Sequence, residues 1–221
     1  NAGQLMTNRR IAGAFAALLA TALGMYAAPA NALGDAERGK VLSYTCLGCH
    51  GIEGYRNQYP SYRVPMLGGQ HAAYIEIALK AYRSGERSHA TMRAQAWSLS
   101  DQDIKDIAAY FGSRGDIKDA EVVTSGVERG KEKSQTCVAC HGERGVSANE
   151  IWPNLAGQHE SYLENALLQY QLANKEETAG YGQRNNAVMA GLAAALSKRD
   201  IKDLASNFAA QEGLYTTKNT D

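Results

Sequence analysis

ERGKVLSYTCLGCHG, residues 37–51, returns 91 positions later as ERGKEKSQTCVACHG, residues 128–142. The two stretches hold all four cysteines of the 221-residue chain, each pair spaced C-x-x-C and closed by a histidine, His50 or His141. Two more blocks recur in the same order. PMLGGQHAAYIEIALKAY (65–82) matches PNLAGQHESYLENALLQY (153–170), and MRAQAWSLSDQDIKDIAAYF (92–111) matches MAGLAAALSKRDIKDLASNF (189–208). Only the spacers differ, so the chain is an internal duplication.

The recurring blocks read as helices. Ser100 and Ser197 are N-cap candidates, each with an aspartate three positions on, Asp103 and Asp200. Behind them Ile104, Ile107, Ala108 and Phe111, and again Ile201, Leu204, Ala205 and Phe208, fall at i, i+3, i+4 and i+7, which lines one helix face. Tyr74, Ala78 and Tyr82 form a stripe that Tyr162, Ala166 and Tyr170 repeat. No stretch alternates as a strand would. The expectation is an all-α protein with three main helices per repeat and a boundary within residues 112–126.

Paired thiols admit several chemistries. A structural zinc site needs four ligands around a tetrahedron, but gives no reason for a histidine directly after each pair. A thioredoxin-like redox pair wants a βαβ setting. A disulfide across two residues closes a tiny loop and stabilises little. Covalent haem accounts for every residue: two thiols on one helical turn form thioethers, and the next residue reaches the iron. C-x-x-C-H is the signature of c-type haem. Two copies in matched contexts point to two covalently bound haem c groups, on Cys46 and Cys49 and on Cys137 and Cys140, with His50 and His141 as axial ligands.

The opposite axial position has six candidates: Met66, His71, His89 and Met92 in the first repeat, His159 and Met189 in the second. A duplicated site should use a duplicated ligand. His89 aligns with Asn186 and Met66 with Asn154, so neither recurs. Met92 and Met189 recur, each eight residues before its serine N-cap, in what reads as a loop able to fold over a haem. His71 and His159 also recur but should open the middle helix. Met92 and Met189 are therefore the expected ligands. A thioether favours ferrous iron and fills the coordination sphere. Pro65 and Pro153 follow the histidines at similar distances. Their carbonyls are candidates to accept the Nδ1 proton, or the prolines simply end loops. Leu67 and Leu155 are candidates to pack on the porphyrin. Trp97 and Trp152 do not occupy matching positions and read as core or haem-edge packing.

Residues 1–32 read as a signal peptide: a basic start with Arg9 and Arg10, the uncharged apolar run IAGAFAALLATALGM (11–25) and the small residues ANA (30–32). Cleavage is expected after Ala32. A retained anchor is the alternative, although the run is short for a bilayer span. The remainder keeps 21 basic against 23 acidic side chains, a balance that argues against a nucleic-acid partner. The segments expected are a first domain at 33–117, a linker at 118–126, a second domain at 127–214 and a tail at 215–221.

Together CLGCHG, PMLGGQ, MRAQAWSLSDQDIKDIAAYF and their second copies resemble the dihaem cytochrome c4 family over residues 34–212. The resemblance implies two class I cytochrome c domains related by a pseudo-twofold axis. It also implies a periplasmic electron carrier, often membrane-associated, that takes electrons from a respiratory donor and passes them to a terminal oxidase or equivalent acceptor. No catalytic residue is expected. The other reading is a dihaem electron-accepting subunit of a periplasmic dehydrogenase such as a flavocytochrome c. The repeat is not strict: Pro153 to Met189 spans 36 residues against 27 for Pro65 to Met92. The extra length falls within 173–188, and the sequence assigns it no role.

Overall fold

A computed structural model describes residues 34–57, 61–112, 125–173 and 184–217. The expected boundary and the longer second-half loop fall largely outside these residues. So do the whole of residues 1–32. The described chain forms ten helices, five in each half, and no sheet. The first half contributes α1 (Ala36–Leu42), α2 (Tyr44–His50), α3 (Ala72–Ser84), α4 (Ala90–Ala96) and α5 (Asp101–Gly112). The second contributes α6 (Val127–Lys133), α7 (Gln135–His141), α8 (Glu160–Leu172), α9 (Ala187–Ala194) and α10 (Lys198–Ala209). Among the described residues no helix is long and apolar enough to cross a membrane.

The last helix of each half starts at its serine. The Ser197 hydroxyl accepts from the Asp200 amide at 3.1 Å while the Asp200 carboxylate accepts from the Ser197 amide at 2.9 Å. Ser100 and Asp103 repeat both bonds at the same lengths. Each helix then buries the face read from its spacing. Ile104, Ile107, Ala108 and Phe111 join Leu47, Ile75, Leu79 and Tyr110 in one apolar cluster. In the second half Ala205 and Phe208 join Leu163 and Ala209.

The ERG of the opening block explains how α1 meets α5. A Cβ on Gly39 would stand 1.9 Å from the Asp106 carbonyl oxygen, and one on Gly130 1.9 Å from that of Asp203. Only hydrogen at these positions lets the two backbones touch. The preceding arginine closes each crossing. Arg129 Nε and Nη2 each donate at 2.8 Å to the Asp203 carboxylate, and Arg38 pairs with Asp103 and Asp106.

The halves meet through a reciprocal exchange. Gln70 Nε2 donates to the Asn154 carbonyl at 3.0 Å and its Oε1 accepts from the Asn154 amide at 2.9 Å. Gln158 does the same to Met66, with both bonds at 3.0 Å. Residues equivalent in the repeat exchange roles across the contact, as a pseudo-twofold axis requires.

Three expectations need correction. The helices number five per half, not three, because α1, α2, α4 and their second-half counterparts are only seven or eight residues long. Met92 and Met189 lie in helices α4 and α9 rather than in loops. Trp97 is 68% and Trp152 37% exposed, so of the two readings, core or haem-edge packing, the protein core is excluded for both. The segment set apart as a tail also has structure where it is described. Tyr215, Thr216 and Thr217 are buried, and Tyr215 exchanges two 3.1 Å backbone bonds with Gly68 of the first half.

Candidate haem sites

Each C-x-x-C-H closes a short helix. α2 carries Cys46, Cys49 and His50 and ends there, at Gly51; α7 carries Cys137, Cys140 and His141 and ends at Gly142. All four thiols are free and half-buried. Burial pushes those of Cys46 and Cys137 above the usual thiol range. Among the described residues no three His, Cys, Asp or Glu side chains gather where they could hold a metal ion, so the two cysteine pairs do not build the zinc tetrahedron.

The histidines are buried and held at one nitrogen. His50 Nδ1 lies 2.8 Å from the Pro65 carbonyl oxygen, and His141 Nδ1 lies 2.9 Å from that of Pro153. A carbonyl can only accept, so Nδ1 carries the proton and Nε2 keeps its lone pair. Burial holds both imidazoles below their ordinary pKa, against the opposing pull of the carbonyls. Each ring is thus neutral at pH 7 and can bind a metal only through Nε2. The donor set suits a haem c in each half: two thiols one helical turn apart and an oriented, neutral imidazole.

Met92 is half-buried against the first core cluster together with Cys46 and Leu67, and Leu155 and Cys137 pack together on the second. The His89 side chain accepts from the Met92 amide at 3.2 Å, and Asn186 accepts from the Met189 amide at 3.0 Å. These two residues fail to recur in identity yet share one task, capping the helix that carries the methionine. Met66 and Asn154, the other unmatched pair, share the glutamine exchange between the halves. His71 and His159 open α3 and α8, and His71 Nε2 donates to the Ser147 carbonyl of the second half at 3.0 Å.

Arg87 and Arg184 belong to none of the motifs that the sequence displays. Each stands five residues before its methionine and recurs under the same 97-residue shift, which was the available signal. Both are buried, and their backbones pair across the halves.

The family model for cytochrome c matches twice, over residues 36–114 and 127–206. Cytochrome c4 of Pseudomonas aeruginosa is 33% identical over 186 residues, covering 80% of this chain and 89% of that one. The crystal structure of reduced recombinant cytochrome c4 from Pseudomonas stutzeri superposes with a TM-score of 0.64 at 30% identity, covering 82% of this chain and all of that one. A thiosulfate dehydrogenase electron acceptor of Stutzerimonas stutzeri is 30% identical over 175 residues, covering 74% of this chain and 77% of that one.

Proposed function

This chain belongs to the cytochrome c family, and from that premise we propose that Cys46, Cys49, His50 and Met92 hold one haem and Cys137, Cys140, His141 and Met189 the other. The protein is a two-haem electron-transfer cytochrome, an electron carrier rather than an enzyme, with one covalently bound haem c in each half. Haem iron supplies a reversible one-electron change.

The rest is set by the chain. The observation that carries the ligand assignment is the duplicated contact from histidine Nδ1 to a proline carbonyl. It aims Nε2, makes the imidazole a better donor and stops the ring from turning. Pro65 and Pro153 thereby act as outer partners of the iron ligands, with Leu67 and Leu155 packing nearby. Met92 and Met189 would each hold an iron through the thioether sulfur, a ligand that would raise the reduction potential relative to a second histidine and would keep oxygen and peroxide from binding. The capped helices α4 and α9 hold those methionines in place.

Residues 1–32 serve as an export signal, the haem domains occupy 33–117 and 127–214 about a linker at 118–126, and residues 215–221 follow the second domain. The carrier works in the periplasm, loosely associated with the membrane, between a respiratory donor and a terminal oxidase or equivalent acceptor. A second reading, the electron-accepting subunit of a periplasmic dehydrogenase, is favoured by the similarity to a thiosulfate dehydrogenase electron acceptor. Purification of the native protein separates the two: a carrier comes alone, whereas a subunit brings its dehydrogenase with it.

The ligands are tested by spectroscopy on the oxidised protein. Met92→Ala and Met189→Ala should each remove part of the methionine–iron charge-transfer band at the red end of the visible spectrum, and Met66→Ala should leave it intact. A band that survives both alanine variants sinks the assignment.

A further inference from the structure

The helix that carries each methionine is held at its start by its own cap, His89 or Asn186, and beyond its end by a neighbouring helix. α4 packs on α3, and α9 on α8. From α3, Arg83 Nη1 donates to the Leu99 carbonyl at 2.8 Å. From α8, Gln171 Nε2 donates to the Leu196 carbonyl at 2.7 Å and to the Ala193 carbonyl at 2.8 Å. Arg83 and Gln171 are matched in the duplication, each directly after the last tyrosine of its stripe, Tyr82 or Tyr170. Leu99 and Leu196 are matched as well, each directly before the serine that caps the last helix of its half. The two halves keep one hydrogen bond in one place and change the donor.

The bond grips the turn between the methionine helix and the last helix. The Leu99 and Leu196 amides bond back to the Ala96 and Ala193 carbonyls at 3.2 and 3.1 Å. Ala96 and Ala193 are buried, and Leu99 packs on the first core cluster. A methionine on such a helix leaves its iron only when the segment opens locally, and a helix fixed at both ends opens less often than one fixed at its start alone.

The change of donor has a local reason. Arg83 Nη2 also pairs with Asp101 at 2.5 Å. At the place of Asp101 the second half has Lys198. A guanidinium there would meet a like charge, whereas the amide of Gln171 meets none. Asp101 is largely exposed, and an exposed ion pair contributes little by itself. What both halves retain is the donor to the leucine carbonyl.

We propose that Arg83 and Gln171 are positioning residues for the iron ligands: each clamps the far end of its methionine helix to the middle helix and so slows release of the methionine sulfur from the haem of its own half. This rests on Met92 and Met189 being the ligands and names what keeps each coordination sphere closed. On release the lone pair returns to sulfur, so no proton, oxidant or reductant takes part.

The test follows imidazole binding to the oxidised holoprotein in rapid mixing. Imidazole enters only after the methionine has left, so at saturating imidazole the observed rate reports release. Met92→Ala and Met189→Ala assign the phases, because each leaves one haem with nothing to release. Arg83→Leu should speed the phase of the first haem by about tenfold and Gln171→Leu that of the second, each sparing the other half. Arg83→Gln installs the donor that the second half uses and should stay within about twofold of the unmodified chain. Gln171→Glu keeps the shape but turns an acceptor toward two carbonyls, and should speed the second phase at least as much as Gln171→Leu.

Leu variants that leave both phases unchanged, or speed both alike, overturn the proposal, provided haem content stays at two and helicity is unchanged. Arg83→Gln as fast as Arg83→Leu also overturns it, since the charge and not the carbonyl bond would then be the clamp. If the Leu variants fail to fold, Gln171→Glu decides alone, and an unchanged second phase overturns the proposal. Failure of the methionine assignment would instead appear as a charge-transfer band that survives Met92→Ala and Met189→Ala, so the two readings fail separately.

Discussion

Gly39 and Gly130 sit where helices cross with no room for a methyl group, and they show how much one residue decides here. Gly39→Ala drives a Cβ into backbone carbonyl rather than into a side chain that could move. The variant should lose about 3 kcal/mol or more, read as a large fall in melting temperature. Gly48 is the contrast. It lies inside α2, where a Cβ would meet no protein atom within 4 Å, and the second half already places Ala139 at the matching position. Gly48→Ala should gain about 0.5–1 kcal/mol from lost chain entropy. A pair of variants with equal melting temperatures would mean that helices α1 and α5 do not touch at Gly39. The cysteines and histidines were legible because their chemistry demands a fixed spacing. The arginines were not: a buried arginine looks like any surface arginine until its surroundings are known, and only its recurrence before each methionine set it apart.

Helices of twelve or thirteen residues announce themselves by several turns of apolar spacing, and α5 and α10 bury the residues that this spacing selected. Helices of seven or eight residues complete barely two turns, too few for a period to stand out. That is why apolar spacing does not resolve α1, α2 and α4 as separate elements and places the methionines in no helix. The caps of α4 and α9 were hidden for another reason. One is a histidine and the other an asparagine, two residue types that share only an acceptor atom at the right reach. The serine caps were legible, and they carry a pH dependence. The Asp103 carboxyl is held down at about 2 by its bonds from Ser100 and then by Arg38. A depressed carboxyl stabilises the fold fully above the ordinary carboxyl range, and that contribution is lost as pH falls through about 2. Ser100→Ala should therefore lower stability by about 1 kcal/mol at pH 7. The gap to the unmodified protein should close in thermal melts as pH falls from 4 toward 2. A gap that stays constant over that range would place the effect outside the cap.

At the scale of the molecule, duplication made the two halves legible but said nothing of how the chain ties them together. Symmetric contacts do part of this, through Gln70 and Gln158. The C-terminal segment does the rest; the residues at the matching place in the first repeat, 113–120, lie outside the described ones. Leu214 still belongs to the second half, where its amide donates to the Ala156 carbonyl at 2.8 Å. One residue later the chain crosses to the first half. Tyr215 lies on Gly68, where a Cβ would meet the tyrosine ring at 2.4 Å, and Thr217 reaches Gly51, the residue that ends the helix of Cys46, Cys49 and His50. Gly68 is three residues beyond the Pro65 carbonyl that holds His50. The segment thus braces the ligand side of the first haem site while being anchored in the second half. Ending the chain after Leu214 should weaken the first site and spare the second. On warming, the truncated protein should lose the Met92 contribution to the charge-transfer band well before the Met189 contribution, whereas in the full chain the two should fade together. Equal loss from both sites in the truncated protein would mean that the brace stabilises the interface as a whole. A band unchanged by truncation would mean that it braces neither site.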